Sequence, residues 1–204
     1  MVADGTTAPR TSRQTPIRIG AVVALALAIG FVVWLVVRGN DNSSSTAKTS
    51  KPPATKPAKT TRPPHETVKA ASVQTLRALA SAAGHPIYWA GPQPNAKYEL
   101  TQVTDGRIFI RYLPKGARIG TKHPYPIVAT YPVPNAYKAV RTAAKESGAV
   151  TFHTKRGGLA VYNQSATTNV YLAFPGSKYQ VEVFDPNPSR ARQLVRSGTI
   201  RPIA

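Results

Sequence analysis

The chain reads as an α+β protein: a mostly antiparallel sheet with about three helices, preceded by one transmembrane helix and a disordered linker. Three observations predict this. An uncharged apolar run fills Ile19 to Val37. Strand-like segments arrive in pairs around Asp105-Gly106, Gly157-Gly158 and Pro175-Gly176, turn chemistry that joins antiparallel neighbours. Two further segments carry apolar residues at helical spacing between a capping residue and a glycine stop, and Asn187-Pro188 opens a third helix.

The nineteen residues IGAVVALALAIGFVVWLVV lie between Arg18 and Arg38. As a helix they span roughly 28 Å, close to the hydrocarbon thickness of a bilayer. A helix satisfies its own backbone N–H and C=O groups in lipid, so the many valines do not prevent helix there. The run is longer than the usual apolar core of a cleaved signal peptide, and no small-x-small cleavage site follows Val37 directly. The expectation is a signal-anchor over residues 18–38. Gly20, Ala24 and Ala28 form a small-xxx-small stripe compatible with a homodimer through this helix.

Residues 1–17 are rich in Thr, Ala, Pro and Arg and lack apolar periodicity, so they read as a disordered tail. Arg10, Arg13 and Arg18 flank one end of the apolar run and Arg38, Lys48, Lys51 and Lys56 the other, so charge does not orient it. Long domains translocate largely regardless of charge, which places the short tail in the cytoplasm and the C-terminal domain outside the cell membrane. Residues 39–70 are dominated by Ser, Thr, Pro and Lys, a stalk composition that cannot bury a core. Residues 71–204 remain as the extracytoplasmic domain. The chain has no cysteine, which excludes disulfides and thiol chemistry.

Within that domain Ser72 caps a helix whose apolar line is Val73, Leu76, Leu79, Ala80 and Ala83, with Gly84 as its stop. Pro86–Ala90 is a short aromatic strand. Tyr98–Thr104 and Arg107–Leu113 flank Asp105-Gly106, the preferred pair for a type I′ hairpin. A proline-studded loop, Pro114 to Pro126, leads to a strand near Ile127–Tyr131. Asn135 caps a second helix to Ser147, stopped by Gly148. Strands at Val150–Thr154, Leu159–Tyr162, Val170–Phe174 and Tyr179–Phe184 follow, and Asn187-Pro188 opens a last helix to about Ser197. The helices are expected on one face of the sheet. Tyr88-Trp89-Ala90 with Lys97–Leu100 echoes Tyr171-Leu172-Ala173 with Lys178–Val181, the trace a duplicated unit would leave.

The run His85-Pro86-Ile87-Tyr88-Trp89-Ala90-Gly91-Pro92, followed by Tyr98–Thr101, Asp105-Gly106-Arg107 and Arg111–Pro114, resembles a family of uncharacterised bacterial proteins, mostly actinobacterial. These carry one transmembrane helix and one extracytoplasmic α+β domain. The resemblance covers about residues 72–200 and implies a shared fold and membrane topology; it implies no activity and no site residue.

No G-x-S-x-G, G-x-x-x-x-G-K-[ST] or H-E-x-x-H pattern occurs, and no cofactor is indicated. His65, His85, His123 and His153 are too far apart in sequence for a local metal site. Glu99 and Glu182 lie inside strands, either as a carboxylate pair of an envelope hydrolase or as cross-strand partners of Arg107 or Arg111. Gly157-Gly158 after Lys155-Arg156 is followed by a strand, so it reads as a turn and not a phosphate loop.

Charge is the remaining signal. From Thr67 onward there are 18 Lys and Arg against 5 acidic residues. Arg107, Arg111, Lys138, Arg141, Lys145, Arg190, Arg192 and Arg196 are the candidate polyanion-binding residues. The function expected is non-enzymatic binding or assembly in the cell envelope, with anionic polymer, lipid headgroups or a protein as partner. The alternatives are the hydrolase, and an inverted topology with a cytoplasmic nucleic-acid-binding domain.

Overall fold

The computed structural model describes residues 65–204. The tail, the Ile19–Val37 run and most of the linker lie outside the described residues. No helix among the described residues is long and apolar enough to cross a membrane.

In chain order the elements are β1 (Glu66–Ala71), α1 (Val73–Ala83), β2 (Tyr88–Trp89), β3 (Ala96–Val103), β4 (Ile108–Pro114), β5 (Ile127–Pro132), α2 (Ala136–Ala143), β6 (Ala149–His153), β7 (Leu159–Asn163), β8 (Ala166–Ala173), β9 (Tyr179–Phe184), α3 (Pro188–Arg196) and β10 (Arg201–Pro202). Eight strands form one antiparallel sheet in the order β1-β3-β4-β5-β9-β8-β7-β6, and β10 pairs with β2 in a separate two-stranded sheet. The α+β class is therefore correct.

The local signals explain most boundaries. Ser72 accepts a hydrogen bond from the Thr75 N–H, and Gly84 ends α1 with φ +65°. Asn187 accepts from the N–H groups of Ser189 and Arg190, and Pro188 opens α3. Asn135 differs. It adopts φ +58° and makes no side-chain capping bond, and α2 ends at Ala143, before the expected Ser147.

The Asp105-Gly106 hairpin is present, but its turn is not type I′. That type needs positive φ at both central residues, and only Gly106 has it, at +88°. The Gly106 N–H donates to the Val103 carbonyl and the Val103 N–H to the Arg107 carbonyl. Thr104, Asp105 and Gly106 thus form a three-residue loop, a turn closed by a left-handed glycine. Thr154 to Gly158 repeats this pattern, with Gly157 at φ +80°.

Strand alternation separates two cores. Leu100, Ile110, Val128, Val183 and Val170 lie in one cross-strand row, none more than 2% exposed. They pack with Leu76 of α1, Ala191 and Val195 of α3, and Trp89, Ile200 and Ile203 around the small sheet. The other face carries Phe109, Ala129, Tyr131, Val161 and Tyr171 against Ala136, Val140 and Ala143 of α2. The helices lie on both faces, not on one as expected. Helical periodicity shows which side of a helix is buried; it does not say which side of a sheet receives it.

Two further expectations change. β1 occupies Glu66–Ala71, most of it within residues assigned to the linker, and forms an edge of the sheet against β3. The echoing segments belong to different elements: Tyr88-Trp89 form β2 of the small sheet, while Tyr171-Leu172 lie in β8 of the large one. Lys97–Leu100 and Tyr179–Val181, by contrast, both lie in the large sheet, in β3 and β9.

Candidate functional site

The eight candidate cations do not form one patch. Arg107 and Arg111 lie on the sheet, both engaged. The Arg107 Nε reaches Asp105 Oδ2 at 2.7 Å, and the guanidinium of Arg107 holds Asp105 below the usual carboxylate range despite the opposing effect of partial burial. Arg111 Nη1 reaches Glu99 Oε1 at 3.0 Å, and Nη2 donates to the His123 carbonyl. Glu99 is thus the cross-strand partner of Arg111, and its Oε2 accepts the Gly120 N–H at 2.5 Å. This buried pair holds the Pro114–Pro126 loop against the sheet.

Lys138, Arg141 and Lys145 are exposed on and just beyond α2. Arg190, Arg192 and Arg196 belong to α3, across the sheet. Arg190 is paired with Asp185 at 3.4 Å and donates to Gln93. The Arg192 guanidinium carbon lies 5.3 Å from the Tyr162 ring centroid, and that of Arg196 4.7 Å from the Phe152 centroid. An arginine lying over a ring can still offer in-plane N–H groups to an anion, although Arg192 Nη2 already donates to Ser189 Oγ at 3.2 Å.

Sequence reasoning missed the residues that complete this group. The Lys155 N–H donates to the Arg196 carbonyl, and Arg156 Nε donates to the Gly198 carbonyl at 2.9 Å. The tip of the β6–β7 hairpin is therefore fastened to the C-terminal end of α3. It brings Lys155 and Arg156, both exposed, beside Arg196. In sequence the Lys-Arg-Gly-Gly run signals a turn, and only the docking of the hairpin reveals the charge cluster.

The carboxylates behave oppositely. Glu99, Glu182 and Asp185 are 5%, 3% and 2% exposed. Glu182 accepts hydrogen bonds from the hydroxyls of Tyr131 and Tyr171 and from the amide of Asn169. Burial pushes its carboxyl above the ordinary value, against the lowering effect of those donors. Beside it Gln180 is 1% exposed, with neither amide atom hydrogen-bonded.

Glu99 and Glu182 do not form a catalytic pair. Between β3 and β9 lie β4 and β5, three interstrand steps of about 4.8 Å, so the strands are roughly 14 Å apart. Glycosidase carboxylates sit at about 5–9.5 Å. The histidines are also separated. His85 stacks on Tyr179 at 4.8 Å and His123 lies against Tyr125 at 4.5 Å, while His65 and His153 are exposed. Among the described residues no group of three His, Cys, Asp or Glu is placed to hold a metal.

No family model matches this chain, and neither a curated protein nor a solved structure does. The fold and the side-chain geometry are therefore the basis for a functional reading.

Proposed function

We propose that the chain is a membrane-tethered, non-enzymatic extracytoplasmic domain that binds an anionic polymer of the cell envelope. Its contact surface is the edge formed by the C-terminal half of α3 and the β6–β7 hairpin. The observation that carries this reading is the placement of Arg192 and Arg196 over Tyr162 and Phe152, with Lys155 and Arg156 alongside. The burial of Glu99, Glu182 and Asp185, three of the six acidic residues among residues 65–204, supports it by lessening the repulsion of a polyanion. The tether is the Ile19–Val37 run, and the Ser/Thr/Pro/Lys linker sets the reach of the domain.

The test uses a poly(glycerol phosphate) probe with the full chain. Four phosphate contacts predict a fall in affinity of about fifty-fold between 50 and 200 mM salt. Arg192→Gln/Arg196→Gln should weaken binding strongly. Lys138→Gln/Arg141→Gln/Lys145→Gln, across the sheet, should leave it within about two-fold of the unaltered protein, allowing for the screened long-range field. Equal losses from the two variants, or binding indifferent to salt, would refute this surface. A reporter fused after Ala204 and active only in the cytoplasm would refute the topology.

A further inference from the structure

We infer that a second surface, the β1 margin of the sheet led by the β4–β5 loop, rests on an anionic membrane surface. Among the described residues two large hydrophobic side chains are exposed, Val68 at 45% and Ile119 at 37%. Both belong to this margin. Ala70 of β1 pairs with Glu99 of β3, and Val68 lies two residues along the same face of β1. The neighbour of Ile119, Gly120, donates its N–H to the same Glu99.

The loop is held in shape before it meets any partner. The Thr121 N–H donates to the Arg118 carbonyl, and Gly120 has φ +74°, so Ile119 occupies the corner of a tight turn. Glu99 grips the turn from beneath, and Arg111 secures its far side through the His123 carbonyl and by lying 5.5 Å from the Tyr125 ring centroid. A fixed turn presenting an aliphatic side chain loses little conformational freedom on insertion.

Lys115, Arg118 and Lys122 surround that corner, exposed, and Lys97 projects from the neighbouring strand. The loop carries no carboxylate, and Glu99 beneath it is neutralised by Arg111. An aliphatic tip ringed by cations matches the interface of an anionic bilayer, where the apolar group enters the acyl boundary and the cations remain among headgroup phosphates. Each such cation contributes about five-fold to partitioning. That is weak for a free protein and sufficient for a tethered one, whose linker supplies a high local concentration of lipid. β1 is the first described strand; it starts opposite Val103 and runs toward Ala70, opposite Glu99, so the tether meets this margin at the end away from the loop. The tether rests on the function proposed above; the loop chemistry does not.

The absence of cysteine allows a direct test. Ile119→Cys and, in the β7–β8 turn, Ser165→Cys each provide one attachment point for an environment-sensitive fluorophore on the full chain. The chain is placed in phosphatidylcholine vesicles with or without phosphatidylglycerol. The probe at 119 should shift to the blue and lose several-fold of its quenching by aqueous iodide when phosphatidylglycerol is present; the probe at 165 should do neither. Arg118→Gln/Lys122→Gln should lower the ratio of inserted to free loop by about 25-fold. Equal quenching at 119 in both lipids, or an equal response at 165, overturns the inference. Release of the chain by alkaline carbonate refutes the tether alone, because the same two probes then report on protein added to the vesicles from outside.

Discussion

Replacing Arg111 by methionine tests whether the buried Glu99–Arg111 pair holds the β4–β5 loop to the sheet. The substitution keeps side-chain length and removes the charge, leaving the Glu99 carboxylate, 5% exposed, with only the Gly120 N–H as partner. Removing one member of a buried ion pair costs about 3–5 kcal/mol. The lower end applies, because the Arg111 side chain keeps 14% of its surface in water. With a urea slope of about 2 kcal/mol per molar, a loss of about 3 kcal/mol moves the unfolding midpoint by about 1.5 M. Glu99→Gln alone should cost about 1–2 kcal/mol, since the guanidinium retains the His123 carbonyl and a neutral amide oxygen still accepts. The double variant should be no less stable than Arg111→Met, a coupling of about 1–2 kcal/mol. Trp89 is the sole tryptophan of residues 65–204 and is 3% exposed, so its fluorescence reports unfolding of this domain. Trypsin gives an independent reading, because release of the loop should speed cleavage at Lys115, Arg118 and Lys122. A midpoint shift below about 0.3 M for Arg111→Met, or strictly additive losses, refutes the reasoning.

Two further expectations concern other sites. Asn187→Ala should cost about 1 kcal/mol in urea unfolding through loss of its two capping bonds, whereas Asn135→Gly should stabilise by a few tenths, because Asn135 caps nothing and sits at φ +58°. Glu182→Gln should flatten the dependence of stability on pH. The native carboxyl binds its proton more tightly than the unfolded one, so its contribution is complete below about pH 4.3 and is lost as pH rises through the raised native value. Urea midpoints measured from acid to neutral pH should fall less in the variant than in the parent.

Much of the fold was legible because it depends on short-range chemistry. Ser72 with Gly84, Asn187 with Pro188, and the glycine turns mark element ends through bonds made within a few residues. β1 left no such mark. Five of its six residues are exposed, so alternation had no buried face to betray it, and only pairing with β3 makes it a strand. The β7–β8 turn at Gln164-Ser165 lacks glycine and is shaped instead by Asn163, whose Oδ1 accepts from the N–H and hydroxyl of Ser165. At the candidate site, the identity of the cations was readable but their grouping was not. Arg192 and Arg196 join Lys155 and Arg156 only after α3 and a hairpin some thirty residues earlier in sequence dock against one another. That the helices divide between the two faces is likewise decided by tertiary packing.

The position of β1 has a mechanical consequence. The described chain begins in a marginal strand whose side chains bury little, so a pull from the N-terminal side loads the β1–β3 hydrogen bonds before any other part of the fold. Peeling β1 away would release roughly 20 Å of slack, six residues at about 3.3 Å each, while the row from Leu100 to Val170 stayed intact. The strand would then act as a reversible shock absorber, yielding under tension and re-zipping when the load is removed.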